Sequence, residues 1–164
     1  MLSGWDGVEA ATLLMVRGAT LLGLPIVVTE QYPRGLGHTS EPVRSALGSR
    51  VPILEKSTLS CCGAAPFVEA LAQLERPQVL VAGIEAHACV NQTVLDLIAT
   101  GYQVAVARDA TSSRHSGLVQ PAWDGMVQSG MRPTSAEQAL LELVESAGRP
   151  EFKTLQSLLK AERP

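Results

Sequence analysis

The amino-acid sequence predicts an α/β fold in which a mostly parallel sheet lies between two layers of helices. Short apolar runs rich in β-branched residues alternate with amphipathic segments along nearly the whole chain. This alternation is typical of a parallel sheet that is covered on both faces. The chain has 164 residues, 46% of them hydrophobic, and no internal repeat or linker divides it. We therefore predict a single domain over residues 1–164 with a sizeable core.

Seven segments are predicted as helices because apolar residues recur in them at spacings of three and four. Six of them span residues 6–23, 41–47, 66–74, 112–129, 136–146 and 150–160. The seventh has Cys89 in its first turn and stops at Gly101. Gly23 and Pro25 end the first of these helices. Ser135 or Thr134 is expected to cap the helix that begins at Ala136.

Four apolar segments are predicted as strands, and residues 131–135 as either a fifth short strand or a loop. The four segments span residues 24–29, 51–54, 79–82 and 102–107. A polar stretch rich in glycine and proline, residues 30–39, is predicted as a loop after the first strand. Gly83 is expected to break the third strand before the helix that carries Cys89.

The order of these elements departs from the usual pattern at the start of the chain. Parallel folds of this type normally begin with a strand that becomes central, whereas this sequence begins with a helix. Only residues 1–5 precede that helix, and they are too few for a strand. The predicted fold therefore lacks the usual first strand, which should leave unpaired backbone groups on the neighbouring strands.

Composition and charge exclude several classes of function. The net charge of −3 provides no basic field for nucleic acid, and no apolar run approaches the roughly 20 residues of a membrane span. We therefore expect neither nucleic acid nor a membrane as a partner. No signal peptide is evident, and three cysteines, two of them adjacent, do not make a disulfide framework. These features predict a cytoplasmic protein.

Cys89 is the most prominent candidate for chemistry because it lies where a strand passes into a helix. Ligands of parallel α/β folds bind beyond the carboxyl ends of the strands. The first N–H groups and the dipole of a helix favour negative charge there, so they would stabilise a thiolate and an oxyanion. Alternatively, Cys89 is a small buried residue in a packed helix, which is common for a lone cysteine.

Several blocks of sequence, all in the same order, resemble the isochorismatase-like cysteine hydrolases, which include nicotinamidases and N-carbamoylsarcosine amidases. The blocks are Thr29-Glu30-Gln31-Tyr32-Pro33, Glu55-Lys56-Ser57 with Ser60-Cys61-Cys62, Gly83-Ile84-Glu85-Ala86-His87-Ala88-Cys89, Asp109-Ala110 with Ser112-Ser113-Arg114, and Thr134 to Leu141. The resemblance covers nearly the whole chain and is strongest to the isochorismatase-domain hydrolases. It implies a three-layer α/β/α fold of the Rossmann-like type.

The resemblance also implies the chemistry of the site. It assigns Cys89 as the nucleophile and Lys56 as the lysine of a set of Asp, Lys and Cys. It further implies an oxyanion hole made by the backbone N–H groups of Glu85 and Cys89, with a cis peptide between Ile84 and Glu85. A lysine beside the cysteine stabilises a thiolate by Coulomb attraction. Attack of this thiolate on a small amide or related C–N compound gives an oxyanion and then a thioester that water hydrolyses.

Four further residues are expected to line a pocket: Gln31, Tyr32, Cys61 and His87. Each has a structural alternative. Gln31 and Tyr32 could belong to a solvated loop, Cys61 could be a structural residue, and His87 could lie at the surface. Lys56 could likewise be an ordinary exposed lysine.

Neither a metal nor another cofactor is expected. Some amidases of the family bind a metal through an aspartate and several histidines, but His38, His87 and His115 do not reproduce that pattern. The adjacent cysteines have no Cys-x-x-Cys spacing. Asp109 and Arg114 are expected to form a structural ion pair or a helix cap.

The aspartate of the family has no counterpart in this sequence. In the family it ends the first strand in an Asp-x-Gln pattern, and Asp6 lies at a helix start instead. We expect that an upstream segment is missing. The alternative is a variant without the general base, which would be a catalytically silent oligomeric or ligand-binding scaffold. The resemblance and the apolar final helices predict a homodimer or larger homo-oligomer with a small-molecule substrate.

Overall fold

Residues 4–161 are described by a computed structural model, and they form parallel sheets flanked by helices, which confirms the predicted fold class. Residues 1–3 and 162–164 of the predicted domain lie outside this range. The helices are α1 (Trp5–Leu21), α2 (Pro33–Leu36), α3 (Glu41–Leu47), α4 (Ala65–Gln73), α5 (Asn91–Ala99), α6 (Val119–Gln128), α7 (Ala136–Val144) and α8 (Phe152–Ala161). The strands are β1 (Val28–Gln31), β2 (Ile53–Lys56), β3 (Gln78–Ile84), β4 (Gln103–Ser112) and β5 (Arg132–Thr134). None of the described helices is both long and apolar enough to cross a membrane.

The strands form two sheets instead of the single sheet that was expected. β1 pairs with β2, and the second sheet has the order β3-β4-β5, with every pair parallel. Within residues 4–161, no strand pairs with the other edge of β1 or with the other edge of β3. Two open edges are what the absence of a central strand would produce, because such a strand is paired on both sides.

Two layers of helices enclose both sheets. In one layer, the buried side chains of α4, α5 and α6 pack with those of β4. This cluster consists of Phe67, Leu71, Val90, Val94, Leu97, Val104, Val106, Trp123, Met126 and Met131. In the other layer, Leu14 of α1 packs with Leu140 of α7 and Leu155 of α8, while Val16 of α1 packs with Val43 of α3. Helix α1 therefore connects the parts of this layer.

Strand β3 is less buried than its sequence suggests. The apolar run 79–82 is typical of a central parallel strand, yet each of its residues is only partly buried. In β4, by contrast, Val104 and Val106 are buried. Leu54 of one sheet and Val79 of the other pack against the same core cluster. The open edge of β3 thus leaves apolar surface that a further strand would cover.

The first two strands begin later than predicted and extend further at their carboxyl ends. β1 starts at Val28, and Leu24 belongs to the helix end instead, because its N–H donates to the Ala19 carbonyl in the last turn of α1 (2.8 Å). Gln31 and Lys56 lie opposite each other in the last pair of the two strands. The predicted loop that follows contains the short helix α2, which begins at Pro33.

The next two strands are also longer than predicted. Gly83 does not end β3, because its φ of +129° accommodates a register shift after which the strand continues to Ile84. β4 likewise runs to Ser112 instead of ending at Ala107, with residues 107–110 out of register with β3. The helix that was predicted from residue 112 therefore starts only with α6.

Substitution of the core residue Leu97 tests the packing of α5. Leu97 is 1% exposed, so Leu97→Ala should lower the free energy of unfolding by about 2–5 kcal/mol through lost burial and the resulting cavity. Leu95 of the same helix is 36% exposed, and Leu95→Ala should cost less than about 1 kcal/mol. Urea unfolding followed by circular dichroism measures both, and equal losses would contradict the assigned packing.

Candidate active site

The carboxyl ends of β1, β2 and β3 bring three predicted site residues together. Gln31 is the last residue of β1, Lys56 is the last residue of β2, and Cys89 follows shortly after β3. The side-chain oxygen of Gln31 accepts hydrogen bonds from the Lys56 ammonium and, at 3.8 Å, from the Cys89 thiol. Ligands of parallel α/β folds bind at this end of the strands, so these three side chains define the candidate site.

Cys89 lies in a π-helical turn, Ala86–Val90, that joins β3 to α5. The prediction placed it in the first turn of an α-helix, but here the Val90 N–H reaches back to the Glu85 carbonyl (3.2 Å), which makes the turn wider. The peptide bond between Ile84 and Glu85 is cis, as the resemblance implied. The Cys89 residue is half-buried, so it is neither sealed in the core nor fully exposed.

Lys56 is a buried lysine, not an exposed one. Its residue is 7% exposed, and its ammonium donates to the carbonyls of Thr58 (3.0 Å) and Leu59 (2.8 Å) as well as to Gln31. No carboxylate in the described part of the chain forms an ion pair with it. A buried ammonium with only neutral acceptors favours the approach of negative charge.

Gln31 connects the lysine to the cysteine but does not supply a base. Its amide nitrogen donates to the Ser57 carbonyl (2.9 Å), which fixes the orientation of the side chain. The amide oxygen therefore faces Lys56 and Cys89. An amide oxygen accepts hydrogen bonds but does not take up a proton as a carboxylate does. The contact orders the site without accounting for deprotonation of the thiol.

Thr93 holds the Cys89 backbone and was not identified from the sequence. Its hydroxyl donates to the Cys89 carbonyl (2.7 Å) and accepts from the Cys61 N–H (2.9 Å), so it joins the two cysteine-bearing turns. The Cys61 sulfur in turn contacts the Thr29 hydroxyl (3.3 Å). Thr93 is 4% exposed, and a polar residue on the apolar face of α5 was the signal that could have revealed it.

Glu85 and Arg114 form an ion pair beside the turn that carries Cys89. Arg114 donates from Nη2 to Glu85 Oε2 (2.9 Å), from Nε to Oε1 (3.0 Å) and from its backbone N–H to Oε1 (3.1 Å). Burial by itself raises the pKa of Glu85, but hydrogen bonds and charge from Arg114, together with the nearby His87, hold the pKa of this carboxyl below its ordinary value. Glu85 is therefore a carboxylate at neutral pH.

Two of the predicted pocket residues make no hydrogen bond with the thiol in the described structure. His87 Nδ1 lies 3.0 Å from the Ser113 hydroxyl, and His87 Nε2 lies 3.7 Å from Glu85 Oε2. Tyr32 is 58% exposed, with its ring against Gly35 and its backbone N–H donating to the Lys56 carbonyl (2.9 Å). His87 is thus part of the turn, with its ring bound to Ser113 and near Glu85, and Tyr32 is exposed directly after β1.

The remaining polar candidates have structural contacts. Asp109 Oδ1 accepts from the Ala136 N–H (2.9 Å) and caps α7 together with Ser135, whose hydroxyl accepts from Gln138. His38 is bound to Glu30 (2.9 Å). Within residues 4–161, no group of three or more histidine, cysteine, aspartate or glutamate side chains is arranged to hold a metal ion.

Comparison with known proteins shows to which family the chain is related. The isochorismatase domain profile matches residues 6–138. Isochorismatase domain-containing protein 1 of Salmo salar is 39% identical over 152 residues, which cover 92% of this chain and 52% of that protein. The secreted isochorismatase effector Isc1 of Phytophthora sojae (strain P6497) is 41% identical over 154 residues, which cover 91% of this chain and 72% of that protein.

A solved structure has the same fold over nearly the whole chain. The MAR1 ribonuclease from Caenorhabditis elegans aligns with a TM-score of 0.93 and 35% identity, covering 99% of this chain and 83% of that one. The chain spans about half (52%) of the length of the Salmo salar and Danio rerio relatives. The profile match, the identities and the common fold confirm the resemblance seen in the sequence, and the chain belongs to the isochorismatase family.

Proposed function

We propose that the chain is a cysteine hydrolase that cleaves a C–N bond in a small amide or a related compound through a thioester on Cys89. The observation that carries this proposal is the position of Gln31 Oε1, which accepts from both the Lys56 ammonium and the Cys89 thiol. Membership of the isochorismatase family supports hydrolase chemistry in general.

In the proposed reaction, the Cys89 sulfur attacks the carbonyl carbon and forms a C–S bond. The carbonyl oxygen becomes an oxyanion, for which the backbone N–H groups of Glu85 and Cys89 are the proposed donors. The C–N bond then breaks, and the amine leaves after it takes up a proton. Water hydrolyses the resulting thioester to a carboxylate and restores the thiol. The positive charge of Lys56 stabilises the attacking thiolate.

We also propose that the general base lies on a further strand between β1 and β3. Both strands have an open edge within the described residues, and both sheets pack on one core cluster. A strand in this position would pair with the open edges of β1 and β3, and an aspartate at its carboxyl end would reach the ammonium of Lys56. Such a carboxylate would accept the thiol proton and neutralise the buried charge.

Two other functions compete with this proposal. A catalytically silent oligomeric or ligand-binding scaffold is favoured by the lack of a carboxylate paired with Lys56 in the described residues. RNA cleavage is suggested by the name of the nematode neighbour. The net charge of −3 disfavours RNA, because nucleic-acid binding relies on neutralising phosphates.

Covalent labelling with acrylamide tests the role of Cys89. We expect acrylamide to add to Cys89 faster than to Cys62, since burial raises the pKa of the Cys62 thiol and lowers its thiolate fraction. Lys56→Met should slow the addition to Cys89, whereas Lys160→Met, on α8, should leave it unchanged. Peptide mass spectrometry of each cysteine measures the rates.

Turnover assays complete this test. Ammonia release from a panel of small primary amides, and degradation of RNA, are followed for the native chain and for Cys89→Ala. Amide hydrolysis that persists in Cys89→Ala would refute the thioester mechanism. Cleavage of RNA without any amide hydrolysis would favour the nuclease alternative, and rapid labelling without either activity, in the extended form described next as well, would favour the scaffold.

An extended chain tests the proposed strand and its acid separately. A form that carries an apolar segment ending in Asp-x-Gln ahead of residue 1 should unfold at higher urea concentration, because the segment pairs with the open edges. It should also hydrolyse amides about 100-fold faster than the matched form ending in Asn-x-Gln, which has the strand but not the base. Equal turnover in the two forms would exclude the acid, and unchanged stability would exclude the strand.

Self-association is proposed for the helices near the end of the chain. Leu141 and Leu143 of α7 are 39% and 40% exposed, which leaves apolar surface for a second copy. We expect sedimentation equilibrium to give at least twice the chain mass of 17.3 kDa, and Leu141→Glu to shift the distribution toward monomer. A native protein that remains a monomer at high concentration would contradict this expectation.

A further inference from the structure

We infer that Glu85, His87, Ser113 and Arg114 form a clamp that orients the turn carrying Cys89 and aligns the backbone donors of the oxyanion hole. The side chains of these four residues have a positioning role: they act through the turn and not on the substrate, whereas the backbone N–H of Glu85 is itself a proposed donor. Their role rests on the proposed function, because the donors matter only if an oxyanion forms. The sequence predicted Arg114 only in a structural ion pair or helix cap, His87 only as a pocket or surface residue, and Glu85 only as a backbone donor.

The first half of the clamp is the ion pair between Glu85 and Arg114. Arg114 contacts both carboxylate oxygens with its guanidinium and one of them with its own backbone N–H. Contacts from several directions leave the carboxylate little freedom, and a planar guanidinium suits this geometry better than an ammonium. Glu85 is also the residue whose N–H is one of the two proposed oxyanion donors, so the ion pair restrains that donor directly.

The second half of the clamp is the contact between His87 and Ser113. The Ser113 hydroxyl lies 3.0 Å from His87 Nδ1 and accepts from the His87 N–H at 3.4 Å, and Ser113 is 0% exposed. Ser113 follows directly after β4, whose last residue, Ser112, pairs with Ile84 of β3. The clamp is therefore anchored in the sheet. Arg114 and Ser113 contact Glu85 and His87, which both precede Cys89 in the chain.

The two supports of Cys89 act on different groups. Thr93 of α5 binds the Cys89 carbonyl at 2.7 Å from the helix side. The clamp instead restrains Glu85, whose carbonyl accepts from the Ala88 and Val90 N–H groups of the turn (3.1 and 3.2 Å). Loss of the clamp should therefore misalign the Glu85 donor while Thr93 still holds Cys89 in place. This separation gives the clamp a measurable signature.

Loss of the clamp can be measured with two electrophiles, acrylamide and iodoacetamide, because only the first needs the oxyanion donors. When a thiolate adds to acrylamide, a C–S bond forms at the terminal carbon, negative charge moves to the amide oxygen, and water then protonates the adjacent carbon. The charge on oxygen needs donors. When a thiolate attacks iodoacetamide, a C–S bond forms as iodide leaves, and no oxyanion develops. The ratio of the two rates at Cys89 thus measures the donors and not the thiolate.

We expect Arg114→Met to lower the rate of acrylamide addition at Cys89 about tenfold while the rate with iodoacetamide stays close to native. Arg114→Lys, which keeps the charge but not the fork of donors, should give an intermediate ratio. The matched control is Arg132→Met, which removes the ion pair between Arg132 and Glu142 at a similarly exposed position on β5. It should leave both rates unchanged.

The outcomes distinguish failure of the clamp from failure of the hydrolase proposal. An acrylamide rate in Arg114→Met that equals the native rate would overturn the clamp and leave the hydrolase proposal intact. An equal fall with both reagents would also overturn it, because the effect would then lie on the thiolate or its accessibility. If Cys89 in the native chain reacts with acrylamide no faster than Cys62 does, the hydrolase proposal fails and the clamp fails with it.

Discussion

A positive charge kept away from water is the constraint on which the site depends. The Lys56 ammonium is surrounded by the amide oxygen of Gln31 and by two carbonyls of the turn after β2. Removing an ammonium from water is costly unless dipoles or anions compensate for the lost hydration. The carbonyls supply dipoles, and Gln31 extends the polar contact to the sulfur of Cys89. The proximity of cation and sulfur is thus a property of how β1, β2 and β3 end.

The sulfur itself is held from two directions. On the side of α5, a threonine joins the Cys89 carbonyl to the turn that contains Cys61. On the side of β4, the polar residues after the bulge at 107–110 reach the turn that follows β3. A short segment between two sheet ends and a helix acquires a defined shape in this way.

The alternation of strands and helices could be predicted from the sequence, because apolar periodicity is a local property. The sequence also predicted Gln31, Lys56 and Cys89 as candidates, since each follows an apolar run and belongs to a block that resembles the family, and the structure brings these three side chains together. The strand ends were less predictable. Polar residues such as Glu30 and Ser112 pair within strands because the neighbouring strand continues, and that information is not local. The contacts of Thr93 and Arg114 join residues about 30 positions apart, which no periodicity reveals.

The resemblance added what physical reasoning from single residues could not. A lone cysteine at a helix start and a lysine at a strand end each have ordinary structural explanations. Their significance comes from the order of several blocks, and the family profile over residues 6–138 agrees with that order. The division into two sheets agrees with the sequence pattern, because the strand that would join the sheets is the family strand that has no counterpart in this sequence.

The open edge of β3 also affects how the chain behaves at high concentration. Residues 79–84 carry no charge, are largely aliphatic and contain no proline, whereas β1 includes Glu30 and Gln31. An uncharged aliphatic edge is a template for pairing with a strand of another molecule, and a polar edge is a poor one. Within residues 4–161, the edge most prone to pairing between molecules therefore lies on the second sheet, and the further strand proposed above would remove this liability by occupying that edge.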